Sequence, residues 1–165
     1  MDAIVQWFTV TLEPFVSKEA AVFIISLFPI LELRGGLLAA RLLQVPYIQA
    51  LALCVAGNIL PIPFILLFIR KIFALMKKTR LFRPLVEWLE RKAMGKSDRI
   101  RKYEFLGLVL FVGIPLPGTG GWTGALIASL LQVDIRKSSV AILIGIAMAA
   151  VIMSVVSYGL MGSLL

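Results

Sequence analysis

An all-α membrane protein is the fold class this sequence predicts, and three observations carry that reading. The 165 residues are 60% hydrophobic with a mean hydropathy of +0.98, well above the usual share for soluble domains. The apolar stretches are continuous rather than alternating, as helical spans require and barrel strands do not. A block also repeats: Gly36-Leu-Leu-Ala-Ala-Arg-Leu-Leu-Gln-Val45 aligns without a gap, 88 residues on, with Gly124-Ala-Leu-Ile-Ala-Ser-Leu-Leu-Gln-Val133. The same spacing joins Gly57 to Gly145, and Pro29 matches Pro115 after a two-residue insertion in the second turn. Self-similarity at a fixed offset marks duplicated architecture. The prediction is one membrane domain over residues 1–165, built as an inverted repeat. Each half is a re-entrant helical hairpin plus a transmembrane helix, over about 20–72 and about 105–165. A basic amphipathic segment, 73–104, joins them, and interfacial helices flank the spans.

The elements follow in chain order. Met1 to Phe15 carries Trp7 and is too short to span, since a crossing needs about 20 apolar residues; an interfacial helix is expected. Its Met-Asp start lacks the basic region of a cleavable signal. Ala20 to Val45 contains Glu32 and Arg34, but Pro29 breaks a helix and Gly35-Gly36 permit a sharp turn. It therefore reads as two legs of ten to twelve residues, each roughly 15–18 Å long, about half the ~30 Å hydrocarbon core. Tyr47 to Ile69 crosses, kinked near Asn58, Pro61 and Pro63, and ends at Arg70-Lys71. Leu81, Phe82, Leu85, Val86 and Leu89 recur at helical spacing with Pro84 in the first turn, an amphipathic helix on the inner leaflet. A second hairpin has legs Phe105 to Ile114 and Ala125 to Leu131, joined by Pro115-Leu-Pro-Gly-Thr-Gly-Gly-Trp-Thr-Gly124. Two prolines and four glycines in ten residues cannot continue a helix. Ser138 to Leu165 crosses, with Gly145, Ala147, Ala149 and Ala150 suited to close helix packing.

The net charge is +8, and twelve of the seventeen Lys and Arg lie between Arg70 and Lys102. Such a block beside a span marks a cytoplasmic loop on anionic lipid rather than a nucleic-acid site. With hairpins, Arg136 and Lys137 fall on that same side, whereas four full spans would put them outside. Cys54 is the only cysteine and there is no histidine, so no metal centre or cofactor is expected and any proton coupling must use a carboxylate. Nucleophile–His pairs and a Walker loop are missing too, which argues against an enzyme.

The chemistry is expected where the two tips meet. Intramembrane charge marks function by default, which singles out Glu32 and Arg34. Second legs starting near Gly36 and Gly124 would offer helix N-termini to an anion. Arg34 adds a planar fork suited to phosphate or carboxylate, and Arg41, seven residues on, would extend the positive track. Pro115, Pro117, Gly118, Thr119, Gly120 and Gly121 would form the facing wall. Glu32 would neutralise Arg34 in the empty site or carry a proton; the competing reading is that the pair only braces the tip. Trp122 reads as packing and Asn58 as an interhelical hydrogen bond.

Pro29-x-x-Glu-Leu-Arg-Gly-Gly36 together with the Pro115–Gly124 motif resembles the small multidrug export family of prokaryotic membrane proteins, which is grouped with the DedA superfamily. The resemblance covers nearly the whole chain and implies two re-entrant hairpins facing each other. It further implies movement of lipids, including the polyprenyl-phosphate carrier, between leaflets, with proton coupling through Glu32. Glu32 is similar to the acidic residue of the first DedA hairpin, and Pro115 or Pro117 to the proline of the second. The arginines that the DedA second hairpin carries beside that proline have no counterpart in Ile114 to Gly124. The expected protein is a multi-pass inner-membrane transporter of an amphipathic, anionic lipid phosphate, acting as a homo-oligomer among membrane lipids without nucleic acid. Two alternatives stand beside it: a drug–proton antiporter using Glu32 alone, and a non-transport scaffold or holin-like assembly protein.

Overall fold

The computed structural model describes residues 16–94, 97–116 and 118–160, and those residues are helical with no strand. The interfacial helix expected at Met1 to Phe15, with Trp7, lies outside them, as does Pro117. Helix α1 (Lys18–Leu27) starts where the Ser17 hydroxyl accepts the Ala20 N–H at 3.2 Å and ends just before Pro29, because a residue preceding proline is pushed out of the helical region. Helix α2 (Glu32–Leu42) runs back beside it. Helix α3 (Tyr47–Ile59) gives way at Leu60-Pro61 to α4 (Ile62–Lys77); Pro61 has no N–H to continue the ladder. Helix α5 (Arg83–Met94) carries Pro84 in its first turn, as expected. Val86 is its buried contact, while Leu81 and Phe82, just before the helix, and Leu85 and Trp88 on it are exposed. On its outer side Arg83 Nε donates to Glu87 Oε1 at 2.8 Å, which holds the Glu87 carboxyl below its usual range. Helix α6 (Ser97–Gly113) leads to the second tip, α7 (Gly121–Leu130) leaves it, and α8 (Ile135–Ser154) closes the fold with a π-helical turn, Val155–Leu160. Among the described residues two stretches are long and apolar enough to cross a membrane: Tyr47–Lys77, mean hydropathy 2.3, and Ile135–Gly159, mean hydropathy 2.6.

Several boundaries differ from expectation. The first crossing passes Arg70 and ends at Lys77; the leg expected at Phe105 begins at Ser97. The second legs begin at Glu32 and Gly121, not near Gly36 and Gly124. Gly35 and Gly36 therefore make no turn. They lie inside α2, where a Cβ on Gly36 would strike the Ser26 hydroxyl and come within 2.8 Å of Cys54 Sγ. The missing side chain of Gly36 serves close packing of α2 on α1 and α3, whereas that of Gly35 makes room for Leu31 in the turn before α2. Ala147, expected at a packed helix face, is exposed, while Gly145, Ala149 and Ala150 are buried.

The 88-residue spacing reappears in the backbone. Helices α2 and α7 end alike: Val45 N–H donates to Ala40 O at 2.9 Å, and Val133 N–H to Ala128 O at 3.0 Å. Gln44 and Gln132, one residue earlier, have φ of 55° and 58°. Both ends are left-handed caps that satisfy the last carbonyls. Packing recurs as well. A Cβ on Gly57 would lie 2.8 Å from Phe23 O and 3.0 Å from Ser26 Cβ; one on Gly145 would lie 3.0 Å from Val109 O and 2.6 Å from Val112 Cβ. These obstacles are backbone or Cβ atoms, which cannot swing aside. Gly57→Ala and Gly145→Ala are each expected to destabilise the protein by about 1–3 kcal/mol, the usual cost of overpacking; thermal unfolding in detergent micelles checks this, and an unchanged midpoint would contradict the packing argument.

Candidate functional site

The helix breaks place two short turns, 28–31 and 114–120, near each other, and the two charged residues that open α2 after the first turn, Glu32 and Arg34, cross to the second. Glu32 opens α2 with φ 50°, a left-handed conformation that costs a non-glycine residue roughly 1–2 kcal/mol. Its Oε2 accepts the Gly121 N–H at 3.1 Å and its Oε1 the Trp122 N–H at 3.1 Å. The carboxylate thus caps the N-terminus of α7 from another helix, where negative charge is favoured. Gly120, at φ 139°, has no room for a Cβ because Glu32 fills that space.

Arg34 does the opposite at the other end of the tip. Its Nη1 donates to Leu116 O at 2.7 Å, and its Nη2 lies 3.2 Å from Ile114 O, 3.4 Å from Val112 O and 3.1 Å from Thr119 Oγ1. A cation therefore collects the carbonyls left over where α6 stops. Thr119 steadies them, its hydroxyl 2.8 Å from Leu116 O and 3.0 Å from Ile114 O. Gly118, with φ 73°, allows the chain to turn there. Glu32 and Arg34 are 4% and 7% exposed. Among the described residues no salt bridge joins them, so the braced-pair reading is wrong in its partner: each side chain binds the opposite hairpin. The positive site expected at the start of α7 is already filled by Glu32.

Arg41 is not part of this contact. It lies two turns along α2, with its guanidinium carbon 5.7 Å from the centre of the Tyr158 ring. Trp122, read from sequence as packing, contributes to the lock: its Nε1 donates to Leu27 O at 3.1 Å, at the end of α1. Trp122 stands 88 residues after Arg34, so each hairpin sends a nitrogen donor from the same place to the carbonyl end of the other. Asn58, on α3, also belongs to the site. It lies beside the Glu32 carboxylate, is 3% exposed, and its Oδ1 has no hydrogen-bond partner among the described residues.

Apolar helices long enough to cross lipid, closed over a polar contact that satisfies two broken helix ends, define a small helical membrane protein. Comparison with known families makes this specific. The family model described as "Putative small multi-drug export protein" matches residues 32–152, and the chain belongs to that family. No curated protein and no solved structure gives a significant match.

Proposed function

We propose that this chain is a multi-pass exporter of the inner membrane that carries an anionic lipid phosphate, such as a polyprenyl-phosphate carrier, past the two tips with proton coupling at Glu32. One observation supports it above the rest: the Gly121 and Trp122 N–H groups that a phosphate would take are held by a carboxylate that can be neutralised. In this reading the hairpins are re-entrant and inverted, entering from opposite leaflets. Helix α1, with 10 residues, and α2, with 11, reach about half the hydrocarbon core at 1.5 Å per residue. The basic segment and Arg136-Lys137 face the cytoplasm. Protonating Glu32 removes the charge from the α7 N-terminus, beside the buried Asn58 side chain. The headgroup then takes the α7 N–H groups beside Arg34, and deprotonation restores the lock. Broken helices with their N-termini turned to an anion are a transporter device.

Drug–proton antiport is the second reading, favoured by the family's description. Purified protein in lipid vesicles separates the two. A fluorescent polyprenyl phosphate is expected to change leaflets faster with the protein than in empty vesicles, and faster still across an imposed pH gradient, while a cationic dye is not pumped. Dye accumulation without lipid movement would replace this reading with antiport; neither activity would leave the scaffold reading.

A further inference from the structure

We propose that the groove between α3 and α8 is a binding site for one chain of a membrane lipid whose phosphate sits on Arg41. The groove has a volume of about 350 Å³ and is lined by Tyr47, Leu51, Val55 and Ile59 on one side and by residues including Ala147 and Val151 on the other. Those α3 positions recur every fourth residue, so they form a single stripe. From Tyr47 to Ile59 the stripe runs roughly 18 Å at 1.5 Å per residue, close to one leaflet of a hydrocarbon core ~30 Å thick. Its inner end is next to Asn58 in the chain, hence next to the tips. Along the α8 wall Ser154 Oγ, also in the lining, is turned to its own helix, donating to Ala150 O at 2.7 Å. Such walls suit hydrocarbon and offer nothing to water.

The outer end is different. Tyr47 stacks edge-on against Tyr158, ring centres 5.1 Å apart. The Tyr158 hydroxyl donates to Val45 O at 3.3 Å, which fixes the ring under the Arg41 guanidinium. Arg41 is half-buried, and no acidic side chain pairs with it among the described residues. Tyr47 lines that end of the groove, and the Tyr158 ring and the Arg41 guanidinium stack outward from it in turn, an aromatic and cationic edge that matches the headgroup level of a bilayer. The planar fork fits a phosphate, so charge names the occupant. A second copy of this chain fits less well: it brings a net charge of +8, and a helix about 10 Å across would need on the order of 1,400 Å³ over the same length.

This assignment rests on the chain's place in a membrane and not on flux through the tips, so its test reads binding. Wild-type protein in detergent, mixed with phosphatidic acid, is expected to retain one lipid per chain by native mass spectrometry. Diacylglycerol, which lacks the phosphate, is not retained, and inorganic phosphate does not compete. Arg41→Gln is expected to lower retention roughly tenfold, with Arg41→Lys intermediate. Val151→Phe, at an exposed wall position, fills the slot and lowers it similarly. Retention that ignores both Arg41→Gln and Val151→Phe overturns the site. So does a loss of retention in Val151→Phe that accompanies breakdown of a dimer, since a second copy would then be the occupant.

Discussion

Arg34→Ala is expected to be the most destabilising single substitution in the described residues, lowering stability by about 3–5 kcal/mol, as removing one partner of a buried charged contact does. The guanidinium reaches Leu116 O, Ile114 O, Val112 O and Thr119 Oγ1 together, from 78 to 85 residues away in sequence. Without it the Ile114 and Leu116 carbonyls keep only the bonds made within their own turn, from the Leu116 and Thr119 N–H groups and the Thr119 hydroxyl, and each buried group left short of a partner costs about 1–3 kcal/mol. For a chain of this size the loss corresponds to a fall of about 10 °C in the unfolding midpoint. Arg34→Lys tests whether charge alone is at work. An ammonium is a point donor without the fork; it reaches part of the carbonyl set and is expected to recover less than half of the lost stability. Thermal unfolding in micelles measures both. An Arg34→Ala midpoint within about 2 °C of wild type, at most about 1 kcal/mol, would show that the clamp is not what holds the tips together.

How much of this could be read from the sequence depends on whether the signal is local. The break before Pro29, the proline in the first turn of α5 and the equivalence of Leu42-Leu43-Gln44-Val45 with Leu130-Leu131-Gln132-Val133 are local or repeated, and all appear in the backbone. The glycine pair was misplaced for a physical reason: a missing Cβ suits a sharp turn and a tight helix contact equally, and only the three-dimensional neighbours, Ser26 and Cys54 for Gly36, decide between them. The true left-handed residue of the first tip is Glu32, a residue type with no preference for that conformation. Arg41 was placed by helical phase alone. Seven residues return to the same face, but they also advance about 10 Å along the axis, enough to leave the tip for the Tyr158 ring. The crossing of Glu32 and Arg34 to the opposite hairpin leaves no local pattern, because their partners are fixed by how two turns dock.

Glu32→Gln is expected to cut lipid-phosphate movement at least tenfold with a smaller loss of stability than Arg34→Ala, about 1–3 kcal/mol. Glutamine keeps the length and one acceptor oxygen, so it can hold one of the two N–H groups of α7, but its NH₂ faces the other and it carries no exchangeable charge. If flux through the Gln variant matches wild type, Glu32 is a cap and nothing more. A stability experiment isolates that cap from the backbone beneath it. Alanine and glycine both delete the carboxylate and both leave the Gly121 and Trp122 N–H groups unpaired. Within an ordinary helix alanine is the more stable of the two by about 1 kcal/mol. At residue 32 the order should invert, because φ is 50° and only glycine adopts it without a Cβ penalty of roughly 1–2 kcal/mol. Glu32→Gly is therefore expected to unfold at a higher temperature than Glu32→Ala. The reverse order would mean that the first tip does not require a left-handed residue, and that the chain presents Glu32 to α7 by some other turn. The inversion would show that the sequence accepts a strained residue there because a carboxylate, which glycine cannot supply, is required at that point.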